Sequence, residues 1–466
     1  MRPVVKSGTG QPNILFILTD DQGAWALNAS GYASARTPNL NRLAAQGARF
    51  LNAYTPTPVC SPSRASLLTS RYGSELGILD WIRPEAGPEL GVNPTIPAWP
   101  RILLNAGYRT GLIGKWHLGN TDTHHPRRFG YEHFSGFRTG GVETRDPMWE
   151  SGDEIRRRNG FTVDITADEA IRWLEEGDRS RRFALSVHFR EPHSAYLPVR
   201  EEDWAMVKDL QLELPSPSVP GQDTERTLRL LREYLASVVA LDRCVGRILE
   251  SLDRLGLADQ TLVIFTSDHG YNLGHHGLLY KGNAQWLLKA GHLPAAITNI
   301  PSIQRPNLFE TSLKVPLIVR WPGAVKPGSI FTEVVSHLDW LPTFAEIAGE
   351  RLSGKHTVRG RSLISLLQRG AGRWPDEFYA EYSMRIGARA DLRMIRRGDW
   401  KWVSDLLNPG RQELYNLADD PDETRNLVNH PSPAARRAAG RLERELHRKL
   451  AALNAQKLPG SDRTQE

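Results

Sequence analysis

The chain has 466 residues, 40% of them hydrophobic and 24% charged, with 13 Trp. This composition excludes a disordered, collagen-like or fibrous chain and is enough to bury a large core. The formal net charge of +6 favours encounter with anionic substrates. No zinc-finger, RNA-binding or basic-aromatic pattern accompanies it, so nucleic acid is not an expected partner.

Two cysteines, Cys60 and Cys244, rule out a disulfide scaffold. No apolar run reaches the roughly 20 residues that span a bilayer. After Met1-Arg2-Pro3 and Ser7-Gly8-Thr9-Gly10, the first apolar run, Ile14 to Leu18, is too short for a signal-peptide core and ends in Asp20-Asp21. The sequence as written predicts a cytoplasmic protein, or a periplasmic or secreted one if the true start lies upstream.

In chain order, Asn13 to Thr19 reads as a strand apolar on both faces, as in a parallel sheet. Thr37-Pro38-Asn39-Leu40 opens a helix that Gly47 ends, and residues 95–107 repeat the plan with Pro97 early and Gly107 at the close. Phe183 to Phe189 is a second strand. Residues 224–255 carry Leu228, Leu231, Leu235, Val238, Val245 and Ile248 at helical spacing. Leu262 to Phe265 and Val315 to Val319 are further strands. The alternation predicts an open α/β sheet. Beyond about residue 370 the pattern changes. Leu392 to Ile395, Trp400 to Val403 and Gln412 to Tyr415 suggest a small antiparallel sheet, and residues 433–454 a final Arg- and Ala-rich helix. The division is a catalytic domain over 1–372 and a C-terminal subdomain over 373–466.

Ligands of open parallel sheets bind beyond the carboxyl ends of strands. Asp20 and Asp21 stand at such an end, as do Asp268 and His269. Two such pairs suggest a hard divalent ion, Ca²⁺ or Mg²⁺; the other reading is that each Asp caps a following helix. Neighbouring strand residues point to opposite faces, so both members of a pair reach one ion only from a turn. Pro62 marks a helix N-terminus and puts Cys60 where the dipole lowers a thiol pKa. Cys244, inside its helix, reads as a structural cysteine.

Cys60-Ser61-Pro62-Ser63-Arg64, followed by Leu67-Leu68-Thr69, resembles the Cys-x-Pro-x-Arg signature of the type I sulfatases. The resemblance extends through Asn13–Gln22, Thr37–Phe50, Gly114-Lys115-Trp116-His117-Leu118-Gly119, Glu191-Pro192-His193, Thr266-Ser267-Asp268-His269-Gly270, Val315–Val319 and Glu413-Leu414-Tyr415-Asn416-Leu417. It implies an alkaline-phosphatase-like α/β/α sandwich with a small C-terminal subdomain. It implies that a separate maturation enzyme, the formylglycine-generating enzyme, oxidises Cys60 to formylglycine, whose hydrate attacks the sulfur of an anionic sulfate ester. Asp20, Asp21, Asp268 and His269, with position 60 itself, would hold the metal, Ca²⁺ or alternatively Mg²⁺. Arg64 would hold the hydrate and the metal ligands, His117 would take the proton that releases sulfate, and His193 would protonate the leaving alcohol. Lys115 and His117, two apart, point the same way from an extended segment.

The family's pocket lysine is assigned to Lys281, with Lys289 and Lys314 as alternatives, because a long stretch around 283–308 separates Tyr280-Lys281-Gly282 from Phe309-Glu310. That stretch reads as an inserted loop over the site. His275 and His276 lack motif support. Arg127-Arg128 and Trp149 suit a sulfated sugar or an aryl sulfate. Three other readings stand beside this one: a phosphonate or phosphate monoester hydrolase of the same superfamily, a non-catalytic binding protein, and a hydrolase using unmodified Cys60, which leaves four ligand-type residues unexplained.

Overall fold

The computed structural model describes residues 11–352, 357–370 and 372–454; Met1-Arg2-Pro3 and Ser7 to Gly10 lie outside the described residues. β1, Asn13–Thr19, is buried along its whole length. Its odd and even residues explain the layering, because successive side chains leave a strand on opposite faces. Ile14, Phe16 and Leu18 enter one core with Trp99, Trp340 and Phe344. Leu15 and Ile17 enter another with Leu43, Val245, Ile248 and Leu249. A continuous apolar strand is what a sheet covered on both faces requires.

The chain continues through α1 (Pro38–Gln46), β2 (Ala48–Tyr54), α2 (Cys60–Thr69), β3 (Arg109–Lys115), β4 (His133–Phe137), β5 (Met148–Ser151), β6 (Glu154–Arg157), β7 (Phe183–His188), the long helix Thr224–Arg254 and β8 (Thr261–Ser267). After β9 (Leu278–Leu279), β10 (Asn283–Trp286) and β11 (Gln304–Pro306) come β12 (Leu317–Arg320) and β13 (Ser329–Ser336). The main sheet has ten strands in the order β13-β2-β12-β8-β1-β7-β3-β4-β5-β6. Its centre, β8-β1-β7-β3-β4, is parallel. β12 runs antiparallel to both neighbours, a direction its short apolar run does not reveal.

β14 (Glu377–Met384), β15 (Ala390–Arg397), β16 (Trp400–Asp405) and β17 (Gln412–Asn416) form a separate antiparallel sheet. β14 faces two ways. Phe378, Ala380, Tyr382 and Met384 pack on Tyr54, Val59 and Leu313 of the larger unit. Tyr379 packs with Trp402 against Ala435, Ala438, Leu442 and Leu446 of the final helix Pro433–Asn454.

Several local expectations change. The helix expected over 95–107 covers Trp99–Asn105, and Pro100 rather than Pro97 occupies its first turn, with Ala98 held extended ahead of it. Trp149 is no surface residue: it lies buried in β5, its indole N–H donating to Ser135 Oγ at 2.8 Å. The stretch 283–308 is an ordered hairpin of β10 and β11 added to β9, with Leu287 in the core beside Leu235 and Leu279. Among the described residues no helix is long and apolar enough to cross a membrane.

Candidate active site

The register of two central strands builds the site. β1 and β8 run parallel with Thr19 opposite Ser267, so Asp20 and Asp268 leave the sheet side by side. Asp21 then turns with φ +65°, a left-handed conformation that Asp tolerates better than most residues. Tyr234 donates from its hydroxyl to the Asp21 carbonyl at 2.9 Å, and Asp21 N–H faces Asp268 Oδ1 at 3.4 Å. The turn supplies what an extended strand denies, two adjacent carboxylates facing one point.

Cys60 is the first residue of α2, with Val59 extended ahead of it. Its thiol lies 3.7 Å from Asp20 Oδ1, 3.5 Å from His269 Nε2 and 3.3 Å from Lys281 Nζ. One turn on, Arg64 donates from Nε to Asp268 Oδ2 at 3.0 Å, stands 3.5 Å from Asp20 Oδ2, and reaches the Lys115 carbonyl at 3.3 Å. Lys115, at the end of β3, pairs with Asp20 and is fully buried. Lys281 pairs with Asp21. Of the three candidate lysines Lys281 is therefore the one in the cluster, since Lys289 is exposed and Lys314 pairs with Glu310 at 3.3 Å. The 283–308 stretch helps brace it: the amide of Asn307 donates to the Lys281 carbonyl at 2.8 Å, as does that of Asn272, after β8, at 3.1 Å.

The charges set the ionisation of the group. Burial opposes ionisation of Asp20, but Lys115, Arg64 and Lys281 hold its carboxyl well below the usual range. Burial and Asp20 push the Cys60 thiol up, yet Lys115, Lys281 and His269 bring it below its ordinary value. Cys244 shows the contrast. Burial and Asp164 push its thiol up, as befits a structural cysteine.

Two overlapping sets of ligand atoms each lie within 4.8 Å of one another, Asp20, Cys60, Asp268 and His269, and Asp20, Asp21 and His193. His269 points Nδ1 at the Gly270 carbonyl at 2.9 Å; a carbonyl only accepts, so Nδ1 carries the hydrogen and Nε2 faces the carboxylates. Asp21 Oδ2 is buried with no hydrogen-bond partner. An orphaned carboxylate oxygen beside three more ligand side chains fits a hard divalent ion.

The remaining candidates sit around this cluster. His193 Nε2 lies 3.8 Å from Asp21 Oδ2, with the side chain 26% exposed, the most open of the group. Burial outweighs Asp21 and Asp20 and leaves its imidazole well below 6.5. His117 follows β3 but not as an extended residue: its φ of +63° turns the chain, and Nε2 donates to the Ile82 carbonyl at 2.9 Å. Its Nδ1 is buried and unpartnered. His275 and His276 belong to the packing, with His275 against Trp25 and His276 stacked on Phe309 at 4.0 Å between ring centroids.

Three polar residues escape sequence reasoning. His188 donates from Nδ1 to the Lys115 carbonyl at 3.0 Å, His337 meets Ser63 Oγ at 3.2 Å, and Asp80 underlies the segment that holds His117. His188 alone had a signal, as a polar residue closing a buried parallel strand.

The sulfatase family model matches residues 12–350, and the C-terminal model of N-sulphoglucosamine sulphohydrolase matches residues 304–456. An N-acetylglucosamine-6-O-sulfatase of Bacteroides thetaiotaomicron is 27% identical over 91% of this chain and 83% of the relative. A choline-sulfatase of Rhizobium meliloti is 30% identical over the same shares. A solved enzyme in complex with its substrate D-glucosamine-2-N,6-O-disulfate superposes with a TM-score of 0.79 at 22% identity, covering 97% of this chain and 100% of that one. The chain belongs to the sulfatase family of the alkaline phosphatase superfamily and is a sulfuric ester hydrolase.

Proposed function

We propose that this sulfatase uses formylglycine made from Cys60, with a divalent cation held by Asp20, Asp21, Asp268 and His269, to hydrolyse sulfate esters of carbohydrates or aryl alcohols. The observation that carries the reading is the charge balance around Cys60. Asp20, Asp21 and Asp268 are matched in number by Arg64, Lys115 and Lys281. A divalent cation, Ca²⁺ or alternatively Mg²⁺, adds a surplus that a monoanionic sulfate ester and an ionised formylglycine hydrate cancel. A dianionic phosphate monoester overshoots that balance. A phosphonate monoester, also a monoanion, satisfies it and is the alternative substrate to test.

The residues then divide the work. Lys115 and Lys281 neutralise carboxylates and offer N–H donors to sulfate oxygens. Arg64 fixes Asp268 and the start of α2. The unpartnered Nδ1 of His117 accepts the proton whose loss frees sulfate, and His193, at the open side, hands a proton to the leaving oxygen once the ester's charge has raised its pKa. When bound, the cation polarises a sulfate oxygen. The maturation enzyme is a required partner, because a thiol provides no hydrate. The division at 372/373 assigns this machinery to the first unit and a supporting sheet to the second. The glucosamine-directed relatives favour a sulfated amino sugar among the carbohydrates.

Mass spectrometry of the Cys60 peptide beside a rate on the same sample tests the nucleophile, and turnover should track the formylglycine fraction. Protein with wholly unmodified Cys60 that hydrolyses sulfate esters as fast as matured protein would overturn it. A panel of sulfated mono- and disaccharides, nitrophenyl sulfate and a phosphonate monoester identifies the substrate.

A further inference from the structure

Asp80 is fully buried against the edge of the C-terminal sheet. Each carboxylate oxygen accepts twice: Oδ1 from Trp81 N–H at 2.9 Å and the Tyr382 hydroxyl at 3.1 Å, Oδ2 from Arg385 N–H at 2.8 Å and Ile386 N–H at 3.1 Å. Three of these donors belong to β14 and the turn after it, about 300 residues along the chain. Burial lifts the carboxyl above its ordinary range despite the four bonds, so the group is held at a cost that packing alone does not require.

The other end of the segment is tied to the catalytic centre. Ile82 N–H donates to Ser61 Oγ at 3.0 Å, the residue after Cys60. The Ile82 carbonyl accepts from His117 Nε2 at 2.9 Å. That bond decides which nitrogen of His117 keeps its hydrogen and leaves Nδ1 bare. Tyr382 closes the circuit, for its ring edge faces Gly282, next to Lys281, and the Gly282 N–H donates at 3.1 Å to the carbonyl of Pro58, two residues before Cys60.

We propose that Asp80 is a positioning residue: it anchors the Asp80–Ile82 segment to the C-terminal sheet so that the Ile82 carbonyl fixes the tautomer and orientation of His117 and the Ile82 N–H steadies the start of α2. The C-terminal sheet is thereby part of the apparatus that positions His117. This rests on the role given to His117 above.

Asp80→Asn keeps the shape but turns an acceptor into a donor facing N–H groups. It should lower kcat on nitrophenyl sulfate at least tenfold with KM within threefold, because His117 is misplaced while the sulfate contacts persist. Tyr382→Phe removes one donor, is the variant to use if Asp80→Asn does not fold, and should show a smaller loss of the same kind. A second readout needs neither maturation nor turnover. In protein labelled with ¹⁵N-histidine, with His117 signals identified by their loss in His117→Gln, the wild type should show the Nε2–H tautomer and the variants a mixed or shifted pattern. His117 signals that stay unmoved in a folded variant overturn the proposal, whether activity falls or holds. Wild-type protein that is matured yet inactive counts against the function of the site, while the ¹⁵N pattern still decides the role of Asp80.

Discussion

Replacing Lys281 by Met probes the site most sharply, because the sequence offered three lysines and the structure brings one to the cluster. Lys281 Nζ touches Asp21 and stands 3.3 Å from Cys60 Sγ, with the side chain almost wholly enclosed. Methionine keeps most of the volume and removes the charge. Two losses follow. The buried Asp21 carboxylate forfeits its cation, and breaking one partner of a buried pair costs roughly 3–5 kcal/mol; much of this should reappear as tighter dependence on the divalent ion. The sulfate also loses a charged donor in a water-poor site. Losses of this kind amount to about 2.7–4 kcal/mol, or roughly 10²–10³ in rate.

The assay is kcat/KM on nitrophenyl sulfate for matured Lys281→Met, with Lys289→Met and Lys314→Met alongside. Thermal midpoints should be measured with saturating Ca²⁺ and after chelation. We expect a fall of about 10²-fold or more for the first variant and less than threefold for the other two. Destabilisation should be larger in the chelated protein. A Lys281→Met enzyme within fivefold of wild type, or a Lys314→Met enzyme as damaged as expected for Lys281→Met, refutes the assignment.

Exhaustive chelation should abolish turnover, and Asp268→Ala should both weaken metal retention and lower activity roughly 10²-fold or more, since it also frees Arg64; full activity in protein shown to be metal-free sinks the cation site. His193→Ala should lose roughly 10²–10⁴-fold on sugar sulfates and much less on nitrophenyl sulfate, which leaves without protonation; equal losses on both show that His193 is not the acid. His276 is buried and neutral, its pKa brought to about 3 by burial, with His275 adding to it. The unfolded chain therefore binds its proton more tightly than the folded one between that value and roughly pH 6.5, and stability falls as pH drops through this window, by about 2 kcal/mol at pH 5. His276→Asn, which tolerates the left-handed backbone there, should flatten the midpoint-versus-pH curve in this range; an unchanged slope removes His276 from the account.

The sequence was most legible where one segment carries both its signal and its consequence. The apolar run of β1 implies two cores, and both exist. Cys60-x-Pro-x-Arg64 implies a helix start, and α2 begins at Cys60. The acidic pairs at strand ends implied a shared point, which the parallel register of β1 with β8 supplies. Legibility failed where a residue's meaning depends on a partner far along the chain. Nothing in Val315 to Val319 says that β12 runs antiparallel, since an apolar run has no direction. Trp149 is as aromatic in a core as in a sugar cleft, and only its indole bond to Ser135 decides. The 283–308 stretch has no clear period, so its hairpin emerges only from pairing with β9.

Asp80 marks the far limit of such reading. A carboxylate in Ile78-Leu79-Asp80-Trp81 carries no motif, and three of its four partners are backbone N–H groups, which every residue but proline owns. No sequence pattern can encode a bond whose donor has no side-chain identity. The Lys281 contacts share this property in part, because the carbonyl that Asn272 and Asn307 hold is anonymous while the ammonium it positions is not. Reactive atoms are thus readable from residue types, and the backbone scaffolding that aims them is readable only from the fold. Here that scaffolding runs from the C-terminal sheet through the Asp80 carboxylate to the segment whose Ile82 carbonyl meets His117. A reading confined to the signature residues would treat the C-terminal sheet as a passive support, whereas the bonds at Asp80 join it to the segment that holds His117.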